Sequence, residues 1–304
     1  MSAPTPRPAV PEALRPAVDL GDAVSLAARH PNLSEVDTRL SARRYLSAMW
    51  SHREFALTVP LGQLRARNQD TTLGRAWYLI NPLLLISIYY LIFEVMLDIE
   101  SRGDVEDYLP FLTVGVIAYG YTRGSVQAGA ESIVRNRRLV GSLSFPRAIL
   151  PLGALIGQTS AYLYALAAMS IAVLFMGQHP GWGWLLLPVA LVVHGVMNLG
   201  LALFAARFNF HFRDFGNFLP YILRLGLYVS GIILPINANL VEHDLLRWLL
   251  QANPLYNVVE MTRQTVLGDP FIARHWWLGA GWALTLVLVG FAYFRRAEAR
   301  YSGV

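Results

Sequence analysis

Long apolar stretches alternate with short polar segments along most of the chain. From residue 76 onward, several stretches approach the roughly 20 apolar residues that a helix needs to cross a bilayer. These predicted spans cover residues 76–97, 108–128, 147–176, 184–206, 218–236 and 276–294. Because backbone polar groups must be satisfied inside lipid, the pattern predicts an all-α integral membrane protein with six transmembrane helices.

The chain before the first span has two parts of different character. Residues 1–42 are rich in Pro, with scattered charges and no sustained apolar run, which predicts a disordered tail. Residues 43–75 predict an amphipathic interface helix, since Leu46, Trp50 and Leu57 share one face and Arg covers much of the rest. We expect this helix to lie along a membrane surface. The alternative is a soluble helical unit, for which so few residues provide little core.

The distribution of Arg gives the spans an orientation. Ten Arg precede the first span, and the later loops alternate between Arg-rich and Arg-poor. Cytoplasmic loops of membrane proteins carry the excess of positive charge. Both termini are therefore predicted to be cytoplasmic, with residues 76–296 as the transmembrane domain and 297–304 as a short tail.

Composition narrows the chemistry. Charged residues make up 15% of the chain, below the roughly 25% that is usual in soluble domains. The absence of Cys excludes disulfides and Cys-based metal sites, and the absence of Lys excludes a standard phosphate-binding P-loop. No nucleophile lies beside a base in the predicted elements, so we expect no catalytic residue, no metal site and no cofactor in this chain. The Arg placement fits membrane topology, and we expect no nucleic-acid partner.

The segment between the fifth and sixth spans differs from the other loops. Its apolar runs are too short to cross a bilayer. We therefore expect short re-entrant external helices within residues 231–275. Gly231 and Pro235 precede them and are predicted to bend the chain.

Motifs around these spans carry a resemblance to a known family. They are Leu73-Gly74, Asn81-Pro82, Phe145-Pro146-Arg147, Phe212-Arg213-Asp214 and Asn253-Pro254. In order and spacing the chain resembles the permease subunit of ABC-2 type transporters, in the polysaccharide-exporting, Wzm-like branch. Its Pro-rich, Arg-only N-terminal extension is similar to actinobacterial versions that export the cell-wall galactan.

The resemblance implies a homodimer in the plasma (inner) membrane, bound to two copies of a separate ABC ATPase that holds ATP and Mg. It also implies a coupling helix within residues 131–141 that contacts the ATPase. The candidate coupling residues are Ile133, Asn136, Arg138 and Leu139. The sequence allows this role, because the segment combines charges with apolar side chains. An ordinary positively charged loop is the alternative.

Side chains within the spans are candidates for contact with a sugar polymer. Aromatic rings pack against the flat C–H faces of sugars without fixing one register, and Arg donates paired hydrogen bonds to a diphosphate. The candidates for the substrate path are Tyr89, Phe93, Tyr119, Tyr228, Arg123 and Arg224. The alternatives are the usual aromatic enrichment at membrane interfaces and snorkelling of Arg to the cytoplasmic surface.

Two further groups are predicted at the ends of the path. The candidates at the cytoplasmic entrance are Arg65, Arg67, Leu73, Gly74 and Arg75, and those at the outer gate are Gly231, Pro235, Asn253 and Pro254. His194 and Asn198, one turn apart in the fourth span, indicate hydrogen bonding between helices. Gly120 and Gly124 allow close helix packing.

Taken together, these features predict a permease that moves a lipid-linked polysaccharide out of the cytoplasm, with ATP hydrolysed by its partner. The nearest alternative is an ABC-2 permease for teichoic acid, a drug or a free lipid. A membrane-bound acyl- or glycosyltransferase would need acid and base residues converging at one face. A non-transporting scaffold would leave the coupling segment and the intramembrane Arg residues unexplained.

Overall fold

The computed structural model describes residues 42–51, 54, 73, 76–96, 107–142, 145–233, 236 and 243–298. The chain divides into two compact units, residues 1–43 and 44–304, and nearly all described residues belong to the second. The predicted tails, and most of the predicted interface segment after Ser51, lie outside the described residues.

All regular structure in the described ranges is helical, as the sequence predicts. The α-helices are α1 Ala42–Ser51, α2 Trp77–Tyr89, α3 Tyr108–Arg135, α4 Arg137–Ser142, α5 Ile149–Phe175, α6 Leu187–His211, α7 Phe215–Val229, α8 Asp244–Ala252, α9 Pro254–Val266 and α10 Ala273–Arg295. A π-helical segment, Tyr90–Met96, continues α2. A 3₁₀ turn, Trp182–Leu186, leads into α6.

Within these ranges, three helical stretches are long and apolar enough to cross a membrane. They are Ile149–Phe175, Trp182–His211 and Ala273–Arg295, and a shorter apolar stretch lies at Leu79–Ile92. The chain is therefore a helical, multi-pass membrane protein. The full set of six spans stays a prediction.

Contacts between helices show the direction in which α3, α5 and α6 run. Thr122 meets His194, and further along both helices Asn209 donates to the Ala130 carbonyl, so α3 and α6 are parallel. α5 is antiparallel to α3, because Tyr121 contacts Thr159 while the start of α5 packs near the end of α3. This alternation is the one expected for three consecutive spans.

The closest helix contact involves α6 and α10. A Cβ atom on Gly200 would lie under 3.0 Å from the backbone of Leu286, and one on Gly290 would meet the Gly200 carbonyl. Arg207 Nη1 donates to the Tyr293 carbonyl further along, and its guanidinium lies 3.9 Å from the centroid of the Tyr293 ring. These two helices are therefore parallel and touch backbone to backbone. By contrast, a Cβ on Gly120 would have nothing within 4 Å.

Several helix ends differ from the predicted span boundaries, and two of them have a clear physical reason. α3 continues past residue 128 to Arg135, because Ile133 is completely buried and anchors the added seven residues in the core. α7 ends at Val229, seven residues before the predicted boundary. Gly231 follows with φ +60°, a left-handed conformation that favours glycine, so the predicted bend at this residue is confirmed. Pro235 lies outside the described residues.

The two helices between α7 and α10 differ in burial. α8 is rich in Leu and Trp, yet it has no buried residue, and Leu245 and Trp248 are 71% and 58% exposed. α9 mixes apolar and polar residues, and ten of its residues are buried, Asn257 and Arg263 among them. The reason is position, because α9 packs among α3, α6 and α10 while α8 contacts chiefly α9. Non-helical or polar segments at such depth are tolerated where protein surrounds them.

Candidate functional site

The connection after α7 is organised around one buried guanidinium. Arg263, on α9, has no exposed surface. Its Nη1 donates to the Gly231 carbonyl at 3.0 Å and to Glu260 Oε1 at 2.6 Å. Its Nη2 donates to the Ile232 carbonyl at 3.1 Å, and its Nε donates to the Phe111 carbonyl at 3.2 Å. The guanidinium also lies 3.4 Å from the centroid of the Phe111 ring. We call this set of contacts the Arg263 joint.

Asn253 forms a second link between the same helices. Its Oδ1 accepts from the Leu255 backbone N–H at 2.9 Å, which caps the N-terminus of α9 in the usual way for Asn. Its Nδ2 donates to Ser230 Oγ at 3.2 Å, just past the end of α7. Pro254 takes the first helical position, where its missing N–H costs nothing. The predicted outer-gate residues Gly231, Asn253 and Pro254 therefore lie at one junction.

The predicted substrate-path residues converge from α2, α3 and α7. Tyr89 is half-buried and lies close enough to Arg123 and Tyr228 for electrostatic interaction. Tyr119 lies within such reach of Arg123 as well. Its ring is buried, and its hydroxyl donates to the Leu223 carbonyl on α7. Tyr119 therefore joins α3 to α7, whereas Arg123 and Tyr228 are exposed.

One face of α7 is exposed along its whole length in the single chain. Leu219 and Leu223 are the buried residues of this helix. The aromatic residues on the exposed side are 63–70% exposed, and they are Phe218, Tyr221 and Tyr228. Arg224 lies on this side too. The structure thus presents aromatic rings and a guanidinium on one surface, which we call the α7 aromatic face.

The predicted coupling segment is divided by a helix break. The residues up to Arg135 belong to α3, and α4 begins at Arg137. The break is stabilised by Asn136, whose Nδ2 donates to the Ser132 carbonyl at 2.7 Å. Ile133 is fully buried in the core. It therefore supports the segment from beneath, which corrects the expectation that its side chain faces a partner.

Leu139 and Asn136 are half-buried, so each keeps accessible surface. Val140, next to Leu139, is buried in the same core cluster as Tyr45 of α1. The side chain of Arg138 lies outside the described residues. The segment is thus a short helix whose inner side is anchored in the core.

Tyr45 links α1 to two distant parts of the chain. Its hydroxyl donates to Glu298 Oε1 at 2.8 Å and accepts from the Ala148 backbone N–H at 3.2 Å. Arg147 donates from its backbone N–H to Glu298 Oε1 and from Nη1 to the Glu298 carbonyl, at 2.9 and 2.7 Å. Burial raises the pKa of the Glu298 carboxyl, and burial with the Glu298 charge raises the pKa of Tyr45.

Trp50, predicted to face the membrane surface, is 71% exposed, whereas Tyr45, which the sequence pattern does not single out, is 3% exposed. Tyr45 is hard to recognise from sequence because its hydrogen-bond partner Glu298 is 253 residues away. Of the predicted entrance residues, Leu73 alone is described, as an exposed turn; Arg65, Arg67, Gly74 and Arg75 lie outside the described residues, as does the side chain of Phe93.

His194 forms the interhelical hydrogen bond that its position in the fourth span predicts. Its Nε2 and Thr122 Oγ1 are 2.6 Å apart, and both residues are buried. Tyr121 stacks on Tyr162 with ring centroids 4.5 Å apart, and its ring meets the His194 ring edge-on at 4.9 Å. Among the described residues, no group of acidic and His side chains is suited to hold a metal ion.

Comparison with known proteins identifies the class that this architecture represents. The family model of ABC-2 type transporters matches residues 61–267, about two thirds of the chain. The chain therefore belongs to the ABC-2 type transporter family. Members of this family are the membrane subunits of ABC transporters, so an ABC ATPase is the expected partner.

Individual relatives are similar over most of their length. An O-antigen export system permease protein RfbA from Myxococcus xanthus is 25% identical over 217 residues, which cover 71% of this chain and 81% of that protein. A protein of the same name from Klebsiella pneumoniae is 24% identical over 247 residues, which cover 79% of this chain and 91% of that protein.

Proposed function

We propose that this chain is the permease subunit of an ATP-driven exporter that moves a lipid-linked polysaccharide across the plasma membrane. The observation that carries the proposal is similarity along nearly the whole length of permeases named for O-antigen export. A galactan-like polymer is the narrower substrate class. The proposed topology has six spans, cytoplasmic termini and re-entrant helices α8 and α9 on the external side.

The proposed path runs along the α7 aromatic face. Two copies of the chain form the conduit, with this face of each copy turned toward the polymer. Rings on α7 supply flat apolar surfaces for sugars, and Tyr89 of α2 lies beside them. Arg123 and Arg224 are exposed near the same surface, where they would donate hydrogen bonds to the diphosphate of the lipid carrier.

Energy enters through the coupling segment in this proposal. Leu139, Asn136 and Arg138 contact a separate ABC ATPase, present in two copies with ATP and Mg. Val140 of α4 and Tyr45 of α1 pack in one core cluster. A movement of α4 caused by the ATPase would therefore displace α1 as well. Replacing Arg138 and Leu139 together with Ala should leave the protein in the membrane but uncouple export from ATP hydrolysis. Normal export by that variant would reject the coupling role.

Depletion of the protein in its native cell tests the substrate class. We expect lipid-linked glycan to accumulate on the cytoplasmic side, and its sugar composition names the polymer. If no glycan accumulates and the surface polymer stays unchanged, the polysaccharide proposal is wrong, and a permease for drugs or free lipids takes its place.

A matched pair of variants tests the path. Tyr228→Ala removes a ring from the α7 aromatic face, and Tyr164→Ala removes an exposed ring from α5. Loss of one aromatic contact with the polymer, worth about 1–1.4 kcal/mol, would slow the movement of the polymer past this face by up to roughly tenfold. We expect slower export for Tyr228→Ala and wild-type export for Tyr164→Ala. Equal rates would remove the α7 face from the path.

A further inference from the structure

Three structural elements meet at the Arg263 joint: the end of α7, the first turn of α3, and α9. The carbonyls of Gly231 and Ile232 lie just past Val229, the last residue of α7. Arg263 supplies both donors from one side chain. Phe111, in the first turn of α3, receives a third donor and covers the flat face of the guanidinium. Two carbonyls just past the end of α7 are therefore satisfied by a side chain of α9.

The charge of Arg263 is compensated within its own helix. Glu260, one turn earlier on α9, is 16% exposed and forms an ion pair with Arg263 at 2.6 Å. A buried cation without its partners is strongly unfavourable. Pulling α9 away from the end of α7 would leave Nη2 without the Ile232 carbonyl and Nη1 without the Gly231 carbonyl. Separation of these two elements is therefore much more costly than moving them together.

The neighbouring residues are shaped to admit the guanidinium. A Cβ atom on Gly115 of α3 would lie 2.5 Å from Arg263 Nη2 and 3.2 Å from Ile232 Cγ2. A Cβ on Gly231 would meet Ile236 at 2.9 Å and Tyr256 at 3.1 Å. At both positions a side chain would collide with its neighbours, so only glycine leaves space for the contacts of the joint. Because the packing is this close, α9 cannot slide against the end of α7.

We propose that Arg263 is a positioning residue that makes the end of α7 and α9 a single rigid body. This inference rests on the proposed function, and it changes the mechanism expected for the outer gate. The bend at Gly231 does not act as a hinge. Instead, the joined elements move together during export. α8 moves separately, because it has no buried residue and, within the described residues, its hydrogen bonds to other elements lie near its C-terminal end, at Gln251 and Ala252.

A covalent bridge across the joint tests rigid-body movement. The chain has no Cys, so Ser230→Cys with Asn253→Cys introduces the only thiol pair, at positions whose side chains meet at 3.2 Å. The pair is closed by oxidation or with a short bis-methanethiosulfonate linker in the purified permease–ATPase complex in liposomes. We expect the bridged complex to export polymer within twofold of the two single-Cys controls. Export that stops on bridging and returns on reduction would overturn the proposal.

A pair of glycine variants on one helix tests the role of Arg263 without changing it. Gly115→Ala places a methyl group against Nη2, whereas Gly120→Ala points into open space. The measurement is the number of ATP molecules hydrolysed per polymer exported by folded, membrane-inserted complex. Loss of one hydrogen bond to a charged group corresponds to roughly a tenfold change in an equilibrium constant. We therefore expect the ATP hydrolysed per polymer to rise about tenfold for Gly115→Ala and to stay unchanged for Gly120→Ala. An unchanged ratio for Gly115→Ala would overturn the proposal, since a merely structural role lowers ATP hydrolysis and export together.

Export by the wild-type complex in the same liposomes distinguishes a failure of the rigid-body proposal from a failure of the proposed export function. Export by wild type, together with either overturning result, rejects rigid-body movement alone. Failure of wild type to export any lipid-linked glycan rejects the proposed function itself.

Discussion

Gly200→Ala probes the backbone contact between α6 and α10. The added Cβ would lie under 3.0 Å from the carbonyl carbon of Leu286 and the nitrogen of Val287. These are backbone atoms of a long helix, which cannot rotate away as a side chain would. To reach an ordinary contact of 3.4 Å, the two helices would have to separate by about 1 Å.

The expected cost follows from two opposing effects. Overfilling a packed interface costs about 1–3 kcal/mol, and a rigid backbone neighbour favours the upper end. Ala gains about 1 kcal/mol over Gly from its higher helix propensity. The net loss of unfolding free energy is therefore about 2 kcal/mol, which lowers the Tm by roughly 4–8 °C for a chain of this size.

Thermal unfolding in detergent, followed by Trp fluorescence, measures the shift. Gly281→Ala, on α10, is the matched control, because its Cβ would have nothing within 4 Å. The control should melt at or slightly above the wild-type temperature. A Gly200→Ala protein that melts with the control would refute the backbone contact.

Three other predictions concern single side chains in hydrogen bonds that the structure describes. Tyr45→Phe removes the hydroxyl that bridges Glu298 and Ala148, so the amides of α1 should exchange hydrogen at least about fivefold faster, from the loss of about 1 kcal/mol. Burial raises the Glu298 pKa above its ordinary 4.5, so between that pH and the raised pKa the folded protein keeps a proton that the unfolded chain has lost. Stability should therefore fall as the pH rises through this window, and Glu298→Gln should remove that slope in thermal unfolding. Asn253→Ala loses the cap of α9 and should lower the unfolding free energy by about 1 kcal/mol in urea titration, whereas an unchanged midpoint would contradict the cap.

Sequence patterns locate three of the predicted membrane helices well, because lipid imposes a simple rule on composition. The apolar run at Ile149–Phe175 is helical almost throughout its predicted range. His194 is recognisable because a polar side chain within an apolar span needs a partner, and Thr122 supplies one. Gly231 is recognisable because a bend after a span favours glycine, which the positive φ confirms. These signals are local, and each can be read within a few residues.

Other features depend on contacts that no local pattern contains. α9 carries several polar residues, and most of them are buried against elements formed elsewhere in the chain. Arg263 has acceptors on Phe111 and Gly231, which are 152 and 32 residues away. Tyr45 depends on Glu298 near the opposite terminus. Burial of a polar residue is decided by the arrival of its partners, so hydrophobicity alone predicts the wrong surface here.

The polarity of α9 also has a consequence for how the protein is made. Arg263 has few acceptors until α3 and the end of α7 are both inserted, so α9 has to settle into the bundle after them. The packing of α9 is completed only when α10 is in place, because His275 Nδ1 on α10 and Asn257 Oδ1 on α9 are 3.0 Å apart. The buried polar side chains of α9 thus receive partners from helices on both sides of it in the sequence, so the helix reaches its final hydrogen bonding only after α10 has been made.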